Sequence, residues 1–140
     1  MHIESRQRMI HEERLDKLST ILPDYVQEYI QSKKRSRFSP STLLGYVHDF
    51  IKFFTWLKTE GIAEVEEIKD IDYTLLERLS KENVEIYIEF LQEEDIRSEK
   101  EKAAGLPLKK RSEAAVHRNI NALKSLFNYL TEETEDENGE

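Results

Sequence analysis

The apolar positions of this chain recur at helical spacing almost from end to end. In HEERLDKLSTIL, Leu15, Leu18 and Leu22 stand three and four residues apart, the repeat that aligns side chains on one face of an α-helix. Pro23 stops that segment and suits the first turn of the next, PDYVQEYIQSKKR, whose stripe is Val26, Tyr29 and Ile30. A third segment, SRFSPSTLLGYVHDFIKFFTWLKTEG, carries Leu43, Val47, Phe50, Phe54 and Leu57 on one side. Ser39 or Ser41 caps it, Pro40 sits near its first turn and Gly61 ends it. A short helix is expected around Tyr73–Leu79. Ser80 then caps a fifth, KENVEIYIEFLQEE, with Val84, Tyr87, Ile88 and Leu91 inward. Ser112 caps the last, in which Val116, Ile120, Leu123, Phe127 and Leu130 repeat at 4, 3, 4, 3. No strand-like alternation persists for more than a few residues. The pattern predicts an all-α bundle of helices with an extra helix at the N-terminus. DIRSEKEKAAGLPLKKR is polar, contains Gly105 and Pro107, and reads as a long loop of about fifteen residues, mobile until something binds it. TEETEDENGE reads as a solvated acidic tail or the start of a linker.

Composition narrows the class. The 140 residues are the length of one domain, and cysteine is absent, which removes disulfides and thiolate metal sites. No apolar run approaches a membrane span, and MHIESRQRMIHEERL has no apolar stretch of the secretory type. A soluble intracellular protein with no membrane partner is the simplest expectation. His2, His11, His48 and His117 are scattered, and His11-Glu12-Glu13 lacks the second His of a zinc helix. Asp70 and Asp72 read as a turn with helix-capping acids rather than a catalytic carboxylate pair. There is no glycine-rich phosphate loop and no nucleophile elbow, so neither a catalytic site nor a cofactor is expected.

The net charge is -8, which argues against nucleic acid, but the charges are segregated. Residues 61–95 hold three bases and twelve acids, whereas 96–130 hold eight bases and three acids. Within the last helix His117, Arg118, Asn121, Lys124 and Asn128 form a polar face nearly free of acid. Arginine and lysine pair with phosphate or guanine, and an asparagine amide reads adenine with two hydrogen bonds. Lys100, Lys102, Lys109, Lys110 and Arg111 lead into the N-terminus of that helix, itself suited to phosphate. The third helix has a matching stripe, Ser41, Gly45, His48 and Lys52, flanked by Thr42 and Thr55. Gly45 costs the helix about 0.5–1 kcal/mol relative to Ala. Either close approach to a bound groove or a tight helix crossing accounts for it.

These residues also carry a resemblance. SPSTLLGYVHDFIKFFTWL, followed some fifty residues later by SEAAVHRNINALKSLFNYL, resembles the paired signature of the core-binding domain of tyrosine recombinases, the phage integrase family. The first half is carried by Ser39, Thr42, Tyr46, Phe50, Phe53, Trp56 and Leu57, the second by Ser112, Val116, Arg118 and the run from Ile120 to Leu130. The family often has Thr where this chain has Ala115. EERLDKLSTILPDYVQEYIQSK, with the long basic insert, resembles a subgroup of single recombinases that resolve chromosome dimers in some Gram-positive bacteria. The resemblance implies an orthogonal bundle of four to five helices, SAM-like, forming half of a clamp around double-stranded DNA. Its two major-groove helices correspond to the third and last helices here. It divides the chain into an N-terminal helical extension (1–22), a core-binding domain (23–131) and an acidic linker start (132–140). It implies a catalytic half C-terminal to this fragment, so that none of Tyr25, Tyr29, Tyr46, Tyr73, Tyr87 or Tyr129 is a nucleophile. Other protomers of a synaptic tetramer, in the bacterial cytoplasm at the nucleoid, are the implied partners. The DNA-facing residues it selects are Ser41, Thr42, Gly45, His48, Lys52, Lys109, Lys110, Arg111, His117, Arg118, Asn121 and Lys124. The competing reading is a helical protein-interaction module, in which Glu82, Glu85, Glu89 and Glu93 dock a basic partner.

Overall fold

A computed structural model describes the backbone of residues 3–137 and the side chains of 5–132. Among the described residues the chain forms seven α-helices and one 3-10 turn, with no strand. They are α1 (Ile3–Ser19), α2 (Asp24–Arg35), α3 (Pro40–Thr59), α4 (Tyr73–Glu77), α5 (Lys81–Glu93), α6 (Glu99–Ala103) and α7 (Glu113–Glu137), the 3-10 turn being Ile68–Asp70. The expected all-helical bundle is what forms. No described helix is long and apolar enough to cross a membrane.

Local chemistry fixes the boundaries. Ser39, not Ser41, caps α3: its Oγ accepts from Thr42 N at 3.2 Å, with Pro40 as the first helical residue. Gly61 follows at φ 74, the left-handed conformation that favours glycine. Asp72 caps α4 through Thr74 N at 3.1 Å, the structural role expected of it. Ser80 and Asn83 close a reciprocal cap on α5, and Ser112 Oγ accepts from Ala115 N at 3.1 Å to start α7. The α7 backbone remains helical to Glu137, through most of the acidic stretch expected to be a tail; residues 138–140 of that stretch lie outside the described residues.

The core is built on α3. Phe50, Phe53, Phe54 and Trp56 are all buried, so α3 turns a wider aromatic face inward than its five-residue stripe. The ring of Phe53 lies 5.0 Å from that of Tyr87 and 6.0 Å from that of Phe127, joining α3 to α5 and α7. Tyr29 of α2 packs edge-on against Phe50 and shares a 2.7 Å hydrogen bond with Ser125 of α7. α1 lies chiefly along α3 with Leu15 fully buried, so the N-terminal helix shares the same core. Two inward assignments on α5 fall short: Ile88 is half-buried and stands outside the core cluster and the side chains packed against it, and Val84 fails outright. Val84 is 42% exposed, because it lies in the first turn of α5 and that helix closes onto the core only from Tyr87 onward.

The segment before α7 also departs from expectation. Ser98 and Glu101 make a capping box that starts α6 within the supposed loop, and the Ser-x-x-Glu pattern for it was present in the sequence. Asp95 accepts from the Arg97 guanidinium and from Lys109 N, Ile96 N donates to Lys109 O at 2.7 Å, and Arg97 Nη1 donates to Leu106 O at 2.7 Å. The Arg97 hydrogen bonds hold the Asp95 carboxyl far below the usual carboxylate range. A polar composition became ordered structure here because the acids at 93–95 and 101 meet the bases at 97 and 109–111.

Candidate nucleic-acid interface

The cap at Ser39 places Ser41, Thr42 and Gly45 on the exposed first turns of α3. The cap at Ser112 places Ala115, Arg118 and Asn121 on the first turns of α7. The two helices pack against each other. Between these ends runs an open groove of about 720 Å³, lined from α3 by Ser41, Thr42, Gly45, Tyr46 and Asp49 and from the α7 side by Arg111, Ala115, Arg118, Asn119 and Asn121. Six of the twelve residues selected from the sequence thus share one surface. A methyl group placed on Gly45 would meet no atom within 4 Å. The tight helix crossing is therefore excluded as the reason for this glycine within the chain, and the space in front of it is open to something outside.

The groove has one feature that the stripes did not reveal. Asp49, half-buried, accepts a hydrogen bond from Asn119 Nδ2 at 3.1 Å. Burial pushes its carboxyl up to about 6, against the pull of Arg111 and Arg118. Asn119 is 6% exposed and Tyr87 is 1% exposed. Neither Asn119 Oδ1 nor the Tyr87 hydroxyl makes a well-formed hydrogen bond among the described residues. Burial, followed by the nearby charge of Asp49, pushes the Tyr87 hydroxyl well above the ordinary tyrosine range. Asp49 and Asn119 were passed over in the sequence because an acid did not fit a DNA-facing stripe and an Asn did not fit a core stripe. They lie seventy residues apart, and only the packing of α3 on α7 joins them.

The remaining bases divide between ion pairs and open surface. Lys52 Nζ lies 2.6 Å from Glu94 Oε2 and 5.2 Å from the centre of the Phe90 ring. Arg111 Nη2 contacts the same carboxylate at 2.8 Å, and its Nη1 donates to Leu91 O. Burial opposes the charge on Glu94, but hydrogen bonds from Lys52 and Arg111 outweigh it and hold its carboxyl below the ordinary value. His48 shares a second hollow with Lys52 and Glu94. Lys110 and His117 line a third, on the other side of α7. Lys110 pairs with Glu93 at 2.7 Å, and Lys109 approaches Glu101 at 3.8 Å. Arg118 and Lys124 are exposed and make no ion pair within 4.0 Å among the described residues. Of the acidic strip on α5, Glu93 is taken by Lys110, while Glu82, Glu85 and Glu89 remain on the surface.

Comparison with known proteins gives the chain its relatives. It is 38% identical over 126 residues to tyrosine recombinase XerS of Lactococcus lactis, covering 90% of this chain and 34% of that protein. It is 38% identical over 128 residues to tyrosine recombinase XerS of Streptococcus pneumoniae, covering 91% of this chain and 35% of that protein. No protein-family profile and no solved structure matches it. The chain spans about a third of the length of these relatives. The resemblance read from SPSTLLGYVHDFIKFFTWL and SEAAVHRNINALKSLFNYL therefore extends along nearly the whole sequence, and the chain is similar over that length to about a third of each of these XerS tyrosine recombinases.

Proposed function

We propose that this chain is the DNA-holding part of a site-specific tyrosine recombinase, and that α3 and α7 face the major groove of the recombination site. The observation that carries the reading is the groove: Ser41, Thr42 and Gly45 meet Arg111, Arg118 and Asn121 across it. Arg118 and Asn121 have the side chains that read guanine and adenine edges, and the two hydroxyls suit phosphate oxygens. Lys124, farther along α7, extends the positive surface; His48 and His117 flank it, as do Lys52, Lys109 and Lys110, which touch backbone phosphate when their acidic partners release them. Residues 23–131 form the core-binding unit, 1–22 an added helix on its core and 132–140 the lead into a linker. Strand cleavage and joining belong to residues outside this chain, in an assembly with further protomers in the bacterial cytoplasm.

Gly45 supplies the test. Gly45→Ala should stabilise the free chain by about 0.5–1 kcal/mol, since it removes the helix cost and meets no neighbour. The same methyl group stands where a DNA backbone would pack, so affinity for duplex DNA should fall several-fold. Thermal unfolding and fluorescence anisotropy on one pair of proteins give both readouts. A stabilised variant that binds duplex as well as or better than the parent contradicts the placement of DNA in this groove.

A further inference from the structure

The groove proposed to receive DNA contains a carboxylate. Asp49 is faced by Arg111 from the segment before α7, by Arg118 and Asn119 from α7 and by Tyr87 from α5, with His48 and Lys52 its neighbours on α3. Arg111 is itself held by Glu94. Neither arginine comes within ion-pair distance of Asp49 among the described residues, so the acid is drawn toward both but closed onto neither.

Asn119 adds an independent observation. An amide and a carboxylic acid pair through two hydrogen bonds. One of them, from Asn119 Nδ2 to Asp49, is already made. The second needs a proton on the carboxyl and a free carbonyl oxygen, and Asn119 Oδ1 is buried and makes no well-formed hydrogen bond among the described residues. A buried acceptor without a donor is costly. The Tyr87 hydroxyl, which lies against Asn119, and a protonated Asp49 are the two groups beside it that could supply one.

We propose that Asp49 sets the affinity of this groove for nucleic acid, and that its carboxylate, hydrogen-bonded to Asn119, takes up a proton from solvent as the phosphate backbone enters, removing a negative charge from the groove. The inference rests on the reading of the groove as a DNA site. Its chemistry is a single protonation, with no bond made or broken in the DNA. An incoming polyanion disfavours the carboxylate and favours the acid, so the bound complex holds Asp49 protonated to higher pH than the free chain does. In the free chain burial already pushes this group up to about 6. Affinity should therefore rise as pH falls from about 8 toward 6, by at most about tenfold per pH unit for one proton, and level off below that.

Calorimetric titration of the chain with a random-sequence duplex, in two buffers of different ionisation enthalpy near pH 7, counts the protons directly. Net uptake is expected. Asp49→Asn, which keeps an acceptor for Asn119 Nδ2, should lose that uptake, bind several-fold more tightly at pH 7.5 and show a flatter pH profile. His48→Gln with His117→Gln separates histidine protonation: the difference between Asp49 and Asn should survive in that background. Equal uptake in Asp49→Asn overturns the inference. The carboxyl carbon resonance of Asp49 in the unaltered chain, titrated with and without duplex, tests it with no substitution: an unchanged midpoint overturns it as well. Failure of the unaltered chain to bind duplex would contradict the DNA reading itself; binding without Asp49-dependent uptake contradicts only this inference.

Discussion

Phe53→Ala should be the most damaging single substitution in the core, lowering stability by about 3–5 kcal/mol. Phe53 is 2% exposed, and its ring is in contact with those of Phe54, Trp56, Tyr87 and Phe127. Removing it opens a cavity where α3, α5 and α7 meet, a region that rigid aromatic neighbours cannot easily refill. The loss is a large share of the roughly 5–15 kcal/mol that holds a domain of this size together. Urea unfolding followed by circular dichroism measures it. Val84→Ala on the exposed first turn of α5 is the contrast and should change stability by no more than about 0.5 kcal/mol. Equal losses for the two would mean that α5 packs as its apolar spacing suggested, rather than as the structure shows.

Arg118→Ala should have the largest effect on recognition, weakening binding to the recombination site by roughly 1–3 kcal/mol and to random duplex by less. Arg118 is exposed on the second turn of α7, at the groove, and makes no ion pair within 4.0 Å among the described residues. Lys110 makes a useful comparison because Glu93 already neutralises it at 2.7 Å. Its exchange of a carboxylate for a phosphate gains little, so Lys110→Ala should weaken specific and random binding alike and change the salt slope by less than about one unit. Both variants should stay folded, since neither side chain is buried. Competition between a selected site and random duplex, in the full-length recombinase, separates the two effects. Unchanged affinities for Arg118→Ala would take α7 out of the groove of the DNA.

Helix order and most of the core were legible because spacing of apolar residues and short capping patterns are local signals. Leu43, Val47, Phe50, Phe54 and Leu57 are all buried, as their spacing requires. Val84 obeys the same spacing and is exposed, since periodicity cannot tell where along a helix its neighbour ends. The basic segment before α7 looked like a free loop because its order comes from pairing between residues up to seventeen apart, as in Lys110 with Glu93 and Arg111 with Glu94. The half of the candidate site that lies on exposed helical faces could be read in the same way. Asp49 and Asn119 could not: their significance is a contact between helices, and it appears only when α3 and α7 are placed side by side.

The central claim is that this acidic chain meets duplex DNA through the α3–α7 groove, and the most direct measurement is a titration of the unaltered chain with random duplex at about 50 and 200 mM salt. The net charge of -8 makes non-specific binding weak, near the upper end of the usual range of about 10⁻⁴–10⁻⁶ M. The account predicts binding at the lower salt and a steep fall at the higher, with a log–log slope of about -2 or steeper, as at least two phosphates are neutralised by the groove and its flanks. No binding at the lower salt, or binding indifferent to salt, would contradict it.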